Sequence, residues 1–357
     1  MNLIMKLKSM AVLILVGVAT VHAGAPIQDN PDFLSANDSG KVVVAVIDTG
    51  VDYTHKDLAG SIWQSDATPF DLPSDFNDGY ATLHGWDFRD NDAYPYDCLK
   101  PIATVNGNSW FAPIIEMFQS DGHGTHVAGI IKKIGVDVSI MPLRIDYRSM
   151  NFLKQVISAV EFAAKGRAKI VNMSFGFYQD DLNPPSPEDL NELARTIERH
   201  PEMLFVIAAG NENRDMVVER KVLMPAGLPL HNIVIVGAVN DDGALADFSN
   251  IGEGLVDIFA PGVDIRSTWP GNSYRLKSGT SMATPFVVGA AARIVSSRLD
   301  ISGADLKSLL LGHTRKIPAL FTKKEKSFIN TWPIEIPVML KSDLPRFGHY
   351  GSKQVKP

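Results

Sequence analysis

The pattern that most constrains this chain is an alternation of two periodicities. Residues 41–47, 139–145, 169–173, 204–209 and 232–239 are nearly unbroken apolar runs rich in valine and isoleucine. A strand with one wet face would alternate polar and apolar residues, so continuous runs fit strands covered on both faces. Between them, residues 123–134, 150–165, 187–200 and 281–299 carry apolar residues at helical spacing. In 150–165, Phe152, Leu153, Val156, Ile157, Val160 and Ala163 fall on one broad face. Strands alternating with helices predict an α/β fold: a doubly wound, mainly parallel sheet with helices on both faces. The 357 residues, 45% of them hydrophobic, suffice for one large core. No internal repeat breaks the rhythm, and one domain is expected over 38–312.

The segments outside that domain read differently. Lys6 and Lys8 precede an apolar run over 10–20, and Val21-His22-Ala23 offers small residues where a signal peptidase reads. Residues 1–23 are therefore expected to be a secretory signal cleaved after Ala23. The run is shorter than the roughly 20 residues of a spanning helix. The expectation is an exported protein, periplasmic or extracellular, with no stable membrane insertion after cleavage. Without residues 1–23 the chain keeps 32 Lys and Arg against 40 Asp and Glu, a formal charge of −8 that argues against a nucleic-acid partner. A single cysteine, Cys98, excludes an intrachain disulfide framework. Residues 24–37 read as a polar N-terminal arm, and 97–120 as an aromatic and polar insertion loop without period. Residues 313–357, with nine Lys and Arg against three Asp and Glu, read as a basic extension with a solvated face.

The chemistry-bearing residues lie where strands end and helices begin. Asp48 closes the first apolar run and is followed by Thr49-Gly50. A carboxylate there is costly unless hydrogen-bonded, although an aspartate can also simply cap a turn. His123 starts a helical run between Gly122 and Gly124, which allow close backbone approach. His126, one turn on, faces the packed side and is assigned to structure. Asn211 follows Gly210 at another strand exit, where its amide can donate a hydrogen bond or merely shape a turn. Ser281, in Gly279-Thr280-Ser281-Met282-Ala283-Thr284-Pro285, sits at a helix N-terminus, whose free N–H groups favour developing negative charge. Such a serine is a helix cap or a nucleophile. Together Asp48, His123, Asn211 and Ser281 supply an orienting carboxylate, a base, an oxyanion donor and a nucleophile.

This set, in the order Asp, His, Ser, resembles the subtilisin-like serine proteases. The likeness extends through 48–58, 123–129, Val171-Asn172-Met173-Ser174-Phe175-Gly176, Ala208-Ala209-Gly210-Asn211-Glu212 and Phe259-Ala260-Pro261-Gly262, and covers residues 38–312. It implies a serine endopeptidase acting on proteins or peptides through an acyl-enzyme. It also implies that the substrate lies as an added strand beside the segments that flank a first specificity pocket, with Ser174, Phe175 and Gly176 on one wall and Ala208, Ala209 and Gly210 on the other. Small residues in these segments predict room for a large apolar side chain.

Asp87, Asp90 and Asp92 crowd one loop, where they repel one another unless solvated or bridged by a cation. The stretch from Gly85 resembles the calcium loop of thermitase-type members, so Ca²⁺ held by these three is the expectation, as a structural ion not needed for chemistry. The family usually carries a domain-sized propeptide, for which 24–37 is too short. A separate folding helper or inhibitor is the partner this leaves room for. Two rival functions use the same scaffold: a catalytically silent binding protein and an exported esterase.

Overall fold

The structure, a computed structural model, describes residues 40–65, 84–97, 122–178, 185–298 and 300–314. The expected signal, the 24–37 arm, Cys98, all of the 97–120 insertion but Asp97, and the extension beyond Thr314 lie outside the described residues.

Seven parallel strands form the central sheet: β1 (Val42–Asp48), β2 (Trp86–Asp87), β3 (Val138–Arg144), β4 (Ile170–Met173), β5 (Leu204–Ala208), β6 (Ile233–Val239) and β7 (Ile258–Pro261). Their order is β2-β3-β1-β4-β5-β6-β7, every neighbouring pair parallel. The chain runs outward from β1 to one side, then returns and builds the other. β1 is thus the point where strand order reverses, and the crevice beyond its carboxyl end is where such sheets place ligands.

Among the described residues, five α-helices accompany the sheet: α1 (His123–Ile134), α2 (Phe152–Lys165), α3 (Pro187–Arg199), α4 (Thr280–Val295) and α5 (Gly303–Gly312). Val42, Val44 and Val46 point into a core shared with α1, α4 and α5. Val43, Ala45 and Ile47 point the other way and are buried as well. On that second face Phe162 of α2 meets Trp63, Trp86 and Phe88. Burial of both faces is what unbroken apolar runs require, and each Val or Ile removed from water contributes about 1.5–3 kcal/mol. The expected fold class therefore holds, with boundaries shifted by a few residues at most.

Helix α4 is buried almost all round, so its sequence shows little amphipathic pattern. It packs against β4 to β7 and α1, and its first turn opens beside the ends of β4 and β5. Strand β7 and helix α5 were not anticipated. Nor was the antiparallel hairpin of β8 (Ile265–Trp269) and β9 (Ser273–Lys277). Its polar β9 carries no apolar alternation to betray it.

Candidate active site

Asp48 is the last residue of β1, fully buried. Its Oδ1 accepts from the backbone N–H of Thr49 at 2.8 Å and from His123 Nδ1 at 2.8 Å. The remaining oxygen, Oδ2, is buried without a hydrogen-bond partner. His123 opens α1, its side chain one-fifth exposed. Facing an ionised carboxylate, Nδ1 carries the ring proton, which leaves the lone pair on Nε2. The glycine after it is obligatory: a Cβ on Gly124 would lie 2.1 Å from the Gly50 carbonyl oxygen and 3.0 Å from Asp48 Cβ. Any side chain at 124 would push the imidazole away from its carboxylate.

Ser281 is the second residue of α4. Its hydroxyl donates to the Ser174 carbonyl oxygen at 3.0 Å, and the Ser174 hydroxyl donates back to the Ser281 carbonyl at 3.1 Å. For Ser281 Oγ to give its proton to an imidazole, the hydroxyl must leave the Ser174 carbonyl, and such catalytic bonds commonly tighten only with substrate present. Asn211 follows β5. Its Oδ1 accepts from Thr280 N at 2.8 Å and from Thr280 Oγ1 at 3.1 Å, which fixes the orientation of the amide and leaves its NH₂ end to donate elsewhere. Gly279 has φ +155°, and a Cβ there would stand 3.7 Å from both Asn211 Nδ2 and Ser281 N. The Asn211 Nδ2 and Ser281 N atoms thus border one position beside Gly279, whose positive φ is what favours glycine there.

Of the expected substrate walls, Ser174, Phe175 and Gly176 follow β4, while Ala208, Ala209 and Gly210 end β5 or follow it. One described side chain, Leu223, packs against a glycine of each wall. A Cβ on Gly176 would fall 2.5 Å from Leu223 Cγ and Cδ2, and one on Gly210 would fall 3.1 Å from the same Cδ2. The isobutyl group of Leu223 therefore stands against both walls. Phe175 is itself packed on Phe152 and Tyr147, with ring centroids 5.4 and 5.5 Å away. Ala208 and Ala209 are buried in the sheet.

The acidic loop also differs from expectation. Arg144, at the end of β3, places Nη1 2.7 Å from Asp87 Oδ2 and 3.4 Å from Asp90 Oδ2. Asp87 Oδ1 accepts the backbone N–H groups of Arg89 and Asp90, and Asp92 Oδ1 accepts that of Tyr94. Burial pushes the Asp87 carboxyl up to about 6, with the guanidinium pulling the other way. Among the described residues no group of three or more His, Cys, Asp or Glu side chains is placed to hold a metal ion. Asp87, Asp90 and Asp92 as arranged do not fit a calcium ion, because Arg144 already supplies the positive charge. His126 takes the structural role expected of it. It is buried, its Nε2 lies 3.0 Å from the Arg275 carbonyl, and burial lowers its pKa to about 4.

Three participants escaped the sequence reading. Thr280 was hidden as one more residue of the serine motif, Arg144 as the end of an apolar run, and Leu223 as part of a loop without period.

The structure thus joins a parallel α/β sheet, an aspartate–histidine pair at its switch point and a serine in the first turn of a buried helix packed on the same sheet. Residues 39–328 match the model of the subtilase family (peptidase S8), and the chain belongs to that family. It is 34% identical over 264 residues to a thermophilic serine proteinase of Bacillus sp. (strain AK1), covering 71% of this chain and 52% of that one. It is 32% identical over 228 residues to subtilisin E of Bacillus subtilis (strain 168), covering 60% and 56%. The crystal structure of a cold-adapted subtilisin-like serine proteinase superimposes with a TM-score of 0.59 at 29% identity, covering 85% of this chain and 92% of that one. The chain spans about half the length of the curated relatives it matches.

Proposed function

We propose that this chain is an exported serine endopeptidase that cleaves peptide bonds through Asp48, His123 and Ser281. The observation that carries the reading is the 2.8 Å contact of buried Asp48 with His123 Nδ1, at the strand-order switch and in a subtilase chain. In the proposed reaction His123 Nε2 takes the hydroxyl proton as Ser281 Oγ attacks the substrate carbonyl carbon. Asp48 holds the tautomer and stabilises the imidazolium. The oxyanion is met by Ser281 N–H and the Asn211 NH₂ group. His123 then protonates the leaving amine. Water, deprotonated by the same imidazole, releases the acyl group and restores the serine.

Beside Leu223 the first specificity pocket takes a small side chain, not the large apolar one expected from the wall residues. Two measurements test the reading. Peptide turnover is expected in the full chain and lost in Ser281→Ala, whereas turnover of esters alone would favour the esterase. With peptide turnover in hand, Leu223→Gly is expected to raise the Phe-to-Ala preference at the cleaved residue by about 10-fold or more, the scale of a few methylenes in a pocket. An unchanged preference contradicts the pocket assignment. Export is supported by the pattern of residues 1–23, and among the described residues no helix is long and apolar enough to cross a membrane.

A further inference from the structure

The reaction just described leaves one buried carboxylate next to the site without a task. Asp97 is 2% exposed, and its partners include Thr49 and Thr125. Its Oδ1 takes the Thr49 hydroxyl at 2.7 Å. Its Oδ2 takes the Thr125 hydroxyl at 2.5 Å and the Thr125 backbone N–H at 2.9 Å. Thr49 follows Asp48 directly, and Thr125 lies two residues after His123. A hydroxyl has one proton, so donation to Asp97 commits the Thr49 oxygen to accepting, and it accepts the Gly124 N–H at 3.0 Å. Thr49 N–H meanwhile holds the same Asp48 oxygen that faces His123. Thr125 Oγ1 likewise accepts Asp52 N–H at 2.9 Å, tying α1 to the loop after β1.

We propose that Asp97 is a positioning residue, which clamps the end of β1 to the start of α1 through Thr49 and Thr125 and so fixes the Asp48–His123 geometry. The inference rests on the hydrolase reading above. The clamp needs acceptor oxygens, because the Thr49 hydroxyl and the Thr125 hydroxyl and N–H converge on the two oxygens of Asp97. An isosteric amide would turn its NH₂ toward at least one of those donors. Among the described residues, the charged groups near Asp97 include Asp48 and, lining a cleft of about 160 Å³ with it and Thr49, Arg89, Arg144, Asp146 and Arg148. Burial raises the Asp97 carboxyl from 3.8 to about 7, with the threonine bonds pulling it down and Asp48 pushing it up. The folded chain therefore keeps this proton longer than the unfolded chain. The share of stability it governs is full below 3.8 and is lost as pH rises towards about 7.

Single-turnover labelling with a fluorophosphonate and steady-state peptide turnover, both well below the melting temperature, test the clamp. Asp97→Asn and Thr49→Val are each expected to lower kcat and the labelling rate by about 10- to 100-fold with KM unchanged, the scale of a displacement of up to 1 Å. Thr49→Ser, which keeps the hydroxyl, is expected to restore most of the loss. The double variant should lose little more than either single one, since both break one chain of bonds. Asp97→Asn should also lack the stability slope between 3.8 and about 7. If Asp97→Asn does not fold, the Thr49→Val and Thr49→Ser pair carries the test. A labelled wild type beside variants that label equally fast, or losses that simply add, overturns this inference alone. A wild type that takes no label overturns the hydrolase reading and the inference with it.

Discussion

Two buried aspartates end neighbouring segments of one sheet, and their partners give them different work. Asp48 closes β1 and Asp87 closes β2, and both lie in register with Arg144 at the end of β3 between them. Arg144 takes Asp87, a permanent cation on a carboxylate, and that pair can only hold strands and loop together. Asp48 instead faces an imidazole, a group that can carry a proton on either of two nitrogens. A strand-end carboxylate is thus structural or chemical according to what the next element brings to it. In the proposed reaction the element that brings the base is α1, admitted by the missing side chain at Gly124.

The contrast can be broken at each carboxylate. Asp48→Asn keeps the shape but favours the wrong tautomer, and kcat is expected to fall roughly 10⁴-fold, as for other triads of this kind. Asp87→Asn, the same change two strands away, is expected to leave kcat within about a factor of two, the range of changes remote from the reacting groups. Comparable losses of turnover from both would erase the distinction. Arg144→Met strands Asp87 as an unpaired buried carboxylate, and chemical denaturation should register a loss of about 3–5 kcal/mol. A neutral result would mean the pair holds nothing. The smallest effect concerns calcium: with Arg144 in the cation's place, EDTA is expected to leave the melting temperature unchanged. A clear drop would return the metal to the Asp87–Asp92 loop.

Legibility in the sequence followed the length of each pattern. The central strands could be read because burial on both faces forces unbroken apolar runs, and α2 because Phe152, Val156 and Val160 repeat at helical spacing. β7 is four residues ending in proline, and β9 is mostly exposed, so neither carries a periodic signal. Asp48, His123, Asn211 and Ser281 were legible because each stands where an element starts or stops. What was not legible depends on distant contacts. Arg144 reaching Asp87 spans 57 residues, and Asp97 joins Thr49 and Thr125 from a segment with no period. Leu223 abuts Gly176 and Gly210, a contact that the small residues of those walls do not signal.

The central claim is that the Asp48–His123 pair makes Ser281 a nucleophile. The most direct measurement is mass-spectrometric mapping of a fluorophosphonate adduct on the full chain, with Ser281→Ala and Asp48→Asn alongside. The account predicts one adduct, on Ser281, absent in Ser281→Ala and formed far more slowly in Asp48→Asn. An unlabelled wild type, or labelling that persists in Ser281→Ala, would contradict it.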